Sequence, residues 1–412
     1  MPFTVLDLFS GAGGMSEGFL QAGFLVPYAV DSSKDAATTY IHRHEQLGYQ
    51  SNFYSGCIQN LLLNNDILDF TNGQKIHVIT GGPPCQGFST SGRRREDDFR
   101  NLLFMDFLHA VKLVQPDYFV IENVEGMLSY KFKKILGLDG EEYTNATAPE
   151  VIQKEAMKFG YFVKWQLLNA KFFDVPQNRP RVIYLGHKIF TNGSKIIDSV
   201  VPPRFPTRSN TLVTVGDAIS DLRFLRTGES SENYDNRYKL TSYQSKMKNG
   251  CTPSANGTPL RSINLTNHEA SRHTTKVIQR FDLLNPGESI KDLLKRLPPN
   301  ERENFSTKKL RCSRLSKDDV APTVVTLPDD IVHYDLRNPR ILTVRELARI
   351  QSFDDSFEFL GKRTTGGKLR SIEAPQYTQV GNAVPPLFAK AIATEVMEAL
   401  TKTYLNDLYM HG

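Results

Sequence analysis

Over the first 190 residues, short β-branched or aromatic runs alternate with stretches whose apolar residues recur at helical spacing. The runs at 5–9, 25–31, 76–80, 118–122, 162–169 and 181–186 predict strands. Between several of them, Met15, Phe19 and Ala22 mark one helical face, and Leu102, Leu103, Phe107, Ala110 and Val114 mark another. A third runs through Val151, Ile152, Glu155, Ala156 and Phe159. Such alternation predicts an α/β fold, a mixed and largely parallel Rossmann-like sheet with helices on both faces and ligands at the carboxyl ends of the strands. From about residue 187, proline pairs and Asn-Gly turns break the periodicity, which predicts a second, smaller and irregular domain. Order returns after 339, with a short helix over 343–353, a surface loop over 362–375 and a longer helix over 386–404 carrying Leu387, Ala391, Val396 and Leu400. The chain therefore divides at 1–186, 187–338, 339–374 and 375–412.

Composition narrows the class. With 40% hydrophobic and 23% charged residues over 412 positions, the chain has the make-up of a globular protein of two or three domains. No apolar run reaches the ~18 residues of a membrane span, and the first residues enter a strand without a basic leader, which predicts a cytoplasmic protein with no membrane partner. Cys57, Cys85, Cys251 and Cys312 have neither zinc spacing nor a disulfide framework, so free thiols and no metal are expected. The net charge of +5 is unevenly placed: residues 187–338 hold 24 Lys and Arg against 17 Asp and Glu. A basic segment suggests a polyanion as partner.

Four motifs carry chemistry. Leu6-Asp7-Leu8-Phe9-Ser10-Gly11-Ala12-Gly13-Gly14 runs from a strand through a glycine turn into a helix, an arrangement that presents backbone amides to a nucleotide-type cofactor. Ser16 stands where a dinucleotide fingerprint would place its third glycine, which argues against NAD. Asp31, at the end of the second strand, is placed to take two ribose hydroxyls. Gly81-Gly82-Pro83-Pro84 forms a rigid turn that presents Cys85 for attack, followed by Gln86. Ser89 through Arg100, with Arg93, Arg94 and Arg95, reads as a basic loop able to close over a phosphate backbone. Glu122 ends an apolar strand, where loss of water lets a carboxyl group donate as well as accept a proton. Gln177, Arg179 and Arg181 alternate onto one face at a strand's start, and two arginines there can fix an oxygen or a phosphate.

In this order the segments resemble the cytosine-5 DNA methyltransferase family over nearly the whole chain. Asp7 to Gly14 is similar to that family's first cofactor motif, Pro84-Cys85-Gln86 to its nucleophile motif, Glu122-Asn123-Val124 to its acid motif and Gln177 to Arg181 to its arginine motif. Arg340 to Phe353 resembles a helix that supports target recognition, and Gln379 to Pro386 the last cofactor motif. The resemblance implies S-adenosylmethionine as cofactor, S-adenosylhomocysteine as product, and a cytosine flipped out of duplex DNA. It implies attack of Cys85 on C6 of the base so that C5 accepts the methyl group, with Glu122 on the N3 and N4 edge and Arg179 and Arg181 holding the base and its phosphate. For the cofactor it implies Phe9, Ser10, Gly11, Gly13 and Gly14 beside the methionine part, Asp31 at the ribose, Asp66 and Ile67 at the adenine, and Pro83, Asn382 and Val384 closing the site. Ser89, Arg93, Arg94, Arg95 and Gln177 are expected at DNA, and residues 187–338 occupy the place of the target-recognition domain, with Arg311 and Arg314 as candidate contacts. Two positions depart from the pattern: Ser32 follows Asp31 where an aromatic is frequent, and no proline follows Phe353.

Two other readings compete. A tRNA cytosine-5 methyltransferase would share this catalytic core, but a recognition segment of about 150 residues argues for DNA. A catalytically dead DNA-binding relative would be expected to lose its nucleophile or acid, and Cys85, Gln86, Glu122, Arg179 and Arg181 are all present. The resemblance also implies protection of host DNA beside a restriction nuclease or other phage-defence proteins acting separately, by a monomer that clasps DNA between its domains.

Overall fold

A computed structural model describes residues 2–84, 102–193, 195–307, 312–326, 331–366, 369 and 372–411, with side chains to residue 406. Strands β1 (Thr4–Leu8), β2 (Leu25–Asp31), β3 (Asn52–Ser55), β4 (Val78–Gly81) and β5 (Tyr118–Val124) are parallel neighbours in the order β3-β2-β1-β4-β5. A separate hairpin pairs β6 (Lys131–Leu136) with β7 (Glu142–Thr147). β8 (Tyr161–Asn169) and β9 (Pro180–Asn192) complete the main sheet, with β9 running antiparallel between β5 and β8. The far end of β9 folds back as a short hairpin with β10 (Lys195–Asp198).

Two-residue periodicity sends alternate side chains to opposite faces of a sheet, and here each face has its own core. Val5, Val78, Val120, Ile183 and Leu185 lie on one side with the helices Gly14–Gln21 and Pro386–His411. Leu6, Leu8, Ile79, Phe119, Ile121, Val182 and Tyr184 lie on the other with the helices Leu103–Val114 and Ala148–Lys158. The last helix thus returns to the first across nearly the whole sequence. The two approach so closely that a Cβ built on Gly18 would stand 2.4 Å from that of Ala389.

The segment 187–338 does not pack as one body. Val215, Ala218, Ile219, Tyr243 and Met247 are buried in the same core as the sheet, together with the helix Val344–Ile350. Phe281, Leu284, Ile290, Leu293 and Leu297 instead gather with Cys312, Val332 and Ile341 in a small core of their own. No helix among the described residues is long and apolar enough to cross a membrane.

Candidate active site

All the strand ends that matter open at one edge of the sheet. Beyond β1 the chain turns through Phe9 (φ 57°), Gly11 (φ 55°) and Gly13 (φ 99°) before the helix Gly14–Gln21 begins. The Gly11 N–H donates to Asp31 Oδ2 (2.9 Å) and the Ser33 N–H to Asp31 Oδ1 (2.7 Å), so the carboxylate is aimed by the turn it adjoins. Burial pushes Asp31 up from the ordinary carboxylate range, against the pull of these two amides. A carboxylate oxygen accepts more than one hydrogen bond, which leaves capacity for further hydroxyl donors.

The turn suits a nucleotide-sized group. A side chain at Gly11 would meet nothing within 4 Å, so the turn faces open space, whereas Gly14 is closed off by the Val384 carbonyl, 2.2 Å from where its Cβ would stand. Ser10 Oγ is buried without a hydrogen-bond partner among the described residues. Asn382 is exposed at the end of the helix Gln376–Asn382, one residue before the cap and two before Val384.

Beneath the turn, Asp7 is fully buried on β1 and accepts from the Ser16 hydroxyl (2.5 Å), which also contacts Tyr40 Oη (2.9 Å). Burial, reinforced by the nearby Asp31 charge, raises the Asp7 pKa to about 7. The folded chain therefore holds a proton that an unfolded aspartate, with a pKa of ~3.9, has already released. This contribution to stability is complete below the unfolded value and is lost as the pH rises through about 7. Asp7→Asn carries neither proton nor charge and should remove that slope. Thermal unfolding at pH 6 and pH 8 should show wild type losing roughly 1 kcal/mol, about 2 °C, relative to the variant; parallel curves would contradict the assignment.

At the second cluster, β4 delivers the chain to Gly82-Pro83-Pro84, the last described residues before Cys85. Asn123 Nδ2 donates to the Pro83 carbonyl (3.1 Å), fixing the turn to the end of β5. Glu122, on the same strand, is 8% exposed and forms an ion pair with Arg181 Nε (2.8 Å). The register explains the pairing: Glu122 lies opposite Ile183, and Arg181 is its diagonal neighbour on the same face. The other carboxylate oxygen of Glu122 faces Gly82, where even a Cβ would come within 3.2 Å.

Three expected roles change. Arg181 pairs with Glu122, whereas Arg179 turns its guanidinium to Gln177 and to backbone carbonyls. Arg179 is buried, with Nη1 donating to Gln177 Oε1 (3.4 Å) and the Val324 carbonyl (3.2 Å) and Nη2 to the carbonyls of Gly381 and Ala383 (both 3.1 Å). Gln177 is fully buried, donating to Gln351 Oε1 (2.7 Å) and accepting from the Val324 N–H (2.8 Å), and so is not presented to DNA. Arg314 is likewise enclosed, giving its protons to the carbonyls of Phe281, Leu284, His333 and Asp335. Arg314, satisfied by backbone carbonyls, serves as a staple between segments, whereas the Arg179 Nε is buried without a hydrogen-bond partner among the described residues.

The residues expected at the adenine do not directly follow β3. Asp66 is exposed at the start of the helix Asp66–Phe70 and Ile67 is buried in the apolar core. The residues that directly leave β3 are Gly56, Cys57 and Ile58, and the Gly56 N–H donates to the Asp31 carbonyl (3.0 Å). Sequence reading missed them because β3 is four residues long and does not alternate. Cys85, Gln86, Ser89, Arg93, Arg94, Arg95 and Arg311 lie outside the described residues. No cluster of His, Cys, Asp or Glu among the described residues could hold a metal ion.

Comparison with known proteins converges on one family. The model of the C-5 cytosine-specific DNA methylases matches residues 3–398. Among curated proteins, the type II methyltransferase M1.HphI of Haemophilus parahaemolyticus is 34% identical over 97% of this chain and 88% of its own length. M.DdeI of Desulfomicrobium norvegicum is 33% identical over 95% of this chain and 88% of its own length. A prophage-encoded chain of E. coli, solved as a candidate DNA modification methyltransferase, superposes with a TM-score of 0.68 at 25% identity, covering 97% of this chain and 99% of that one.

Proposed function

The chain belongs to the C-5 cytosine-specific DNA methylases, and from that premise we propose which of its residues carry out methyl transfer to C5 of a flipped cytosine, and on what substrate. It is a DNA cytosine-5 methyltransferase with bacterial type II relatives. The observation that carries the assignment of roles is the Glu122–Arg181 ion pair, seated over Gly82 at the edge where the Pro83-Pro84 turn leads into Cys85.

In this reading Cys85 attacks C6 of the base, forming a thioether that places electron density on C5. Glu122 binds the N3 and N4 edge and supports charge at N3, while Arg181 orients the carboxylate and faces the base. Gln86 adjoins the nucleophile, and Arg179 acts one layer deeper by holding the strand start that presents Arg181. S-adenosylmethionine, when bound, supplies a methyl group made electrophilic by its sulfonium. The chain's own part is to hold that molecule: Phe9 to Gly14 beside the methionine, Asp31 at the ribose, Cys57 and Ile58 at the adenine, and Pro83, Asn382 and Val384 from the opposite side. Once C5 is methylated, a base removes its proton and Cys85 is eliminated.

The substrate in this reading is double-stranded DNA, contacted by the basic residues Arg93, Arg94 and Arg95 together with Ser89. The helical module around Phe281 to Leu297 and its flanking segments supply the recognition surface, since among the described residues of 187–338 they form a core separate from the sheet. The biological role is protection of host DNA beside a restriction nuclease or another defence system, by a cytoplasmic monomer. Bisulfite sequencing of DNA from a methylation-free host expressing the chain tests this. Protection of one cytosine within one short recurring sequence is expected; unprotected DNA together with methylated tRNA would replace the DNA reading by the RNA one.

A further inference from the structure

The segment that resembles a recognition-supporting helix ends in an unusual way. The helix Val344–Ile350 closes with the Ser352 N–H on the Arg349 carbonyl and the Phe353 N–H on the Ala348 carbonyl, both 2.9 Å. This is the motif in which the residue after the cap takes a left-handed conformation and is usually glycine. Here it is Ser352, at φ 64°. Its side chain is fully buried, and its hydroxyl accepts from the Leu387 N–H (3.1 Å), a donor in the unpaired first turn of the helix Pro386–His411.

The residues on either side reach the same place. Gln351, also fully buried, donates from Nε2 to the carbonyls of Val380 (2.7 Å) and Ala383 (3.2 Å) and accepts from Gln177 Nε2 (2.7 Å). The Phe353 ring lies 3.3 Å from where a Cβ on Gly14 would stand, beside the Val384 carbonyl. Arg179 also holds the Gly381 and Ala383 carbonyls. Gln351 and Ser352 therefore grip the segment 380–387, Phe353 packs against Gly14 beside it, and that segment closes over the glycine turn.

We infer that Gln351 and Ser352 are positioning residues for cofactor binding: they latch the turn 380–387 onto Gly14 and so tie the scaffold of the recognition module to the cofactor site. A glycine at 352 would relieve the backbone, and serine stands there because its hydroxyl is needed across the interface. The inference rests on the placement of the cofactor between Gly11, Asp31 and Val384.

Calorimetric titration of the full chain with S-adenosylhomocysteine tests it, alongside the affinity for a duplex carrying the methylated sequence. Ser352→Gly should weaken S-adenosylhomocysteine about fivefold and Gln351→Ala about tenfold, with duplex affinity held within about twofold of wild type. KM for S-adenosylmethionine should rise with kcat nearly kept. Ser352→Ala, which retains the backbone strain, should lose the same affinity as the glycine variant while unfolding at a lower temperature. An S-adenosylhomocysteine affinity in Ser352→Gly within twofold of wild type, or an equal loss of duplex affinity, overturns the latch. Asp31→Ala separates the two levels: if it leaves S-adenosylhomocysteine binding intact, the cofactor placement itself falls, and the latch with it.

Discussion

Cys85→Ala should abolish methyl transfer, with kcat reduced by at least about 10⁴-fold and duplex affinity retained. The size of the effect follows from the chemistry. C5 of cytosine is a poor nucleophile until a covalent bond at C6 pushes density onto it, so no remaining group can substitute for the thiolate. The chain around Cys85 is built for presentation: Gly81 ends a fully buried strand, and Pro83 is fixed through its carbonyl by Asn123. A duplex bearing a mechanism-based trap, 5-fluorocytosine at the target, should give a denaturation-resistant complex with wild type and none with the variant. A trapped complex in the absence of Cys85 would assign the nucleophile elsewhere.

Glu122→Gln should lower kcat by about 10²–10⁴-fold, the range for removing a group that moves or holds a proton in the transition state. The amide fills the same volume over Gly82 and can still accept from Arg181, so the fold should persist and the loss should appear in kcat more than in duplex affinity. Arg181→Ala is a different experiment on the same pair. It leaves the carboxylate, 8% exposed, without its cation, and breaking a buried pair from one side costs about 3–5 kcal/mol. That variant should lose thermal stability as well as turnover, whereas Glu122→Gln should lose turnover alone. Equal unfolding temperatures for the two would contradict the cost assigned to the pair, and a Glu122→Gln enzyme that turns over normally would remove Glu122 from the chemistry.

The sheet was readable from the chain because its strands are buried on both faces, which makes them dense apolar runs that stand out against polar turns. Among the elements that escaped, β3, the β6–β7 hairpin and β10 lack that signature: Asn52-Phe53-Tyr54-Ser55 has no fully buried residue, Lys131–Leu136 buries only Phe132 and Ile135, and Lys195–Asp198 buries none. The short β3 also explains why its carboxyl end escaped notice: the strand ends at Ser55 and leads directly into Gly56, Cys57 and Ile58.

Within the site the division is sharper. Glycines in a turn after a strand, a cysteine behind two prolines and a carboxylate closing an apolar strand are local signals, and local sequence determined them: Gly11, Asp31, Cys85 and Glu122 could be singled out with no knowledge of their neighbours. Arginines and glutamines carry no such signal, because their role depends on which acceptors the fold brings to them. Arg181 met a carboxylate across one strand, while Arg179, two residues away, met carbonyls contributed by Val324, Gly381 and Ala383. Arg314 and Gln177 were enclosed in the same manner, and Ser352 became a cap for a helix that begins 34 residues later in the chain. Backbone carbonyls are identical at every position in a sequence, so only the tertiary structure could decide which long polar side chains face the substrate and which hold the molecule together.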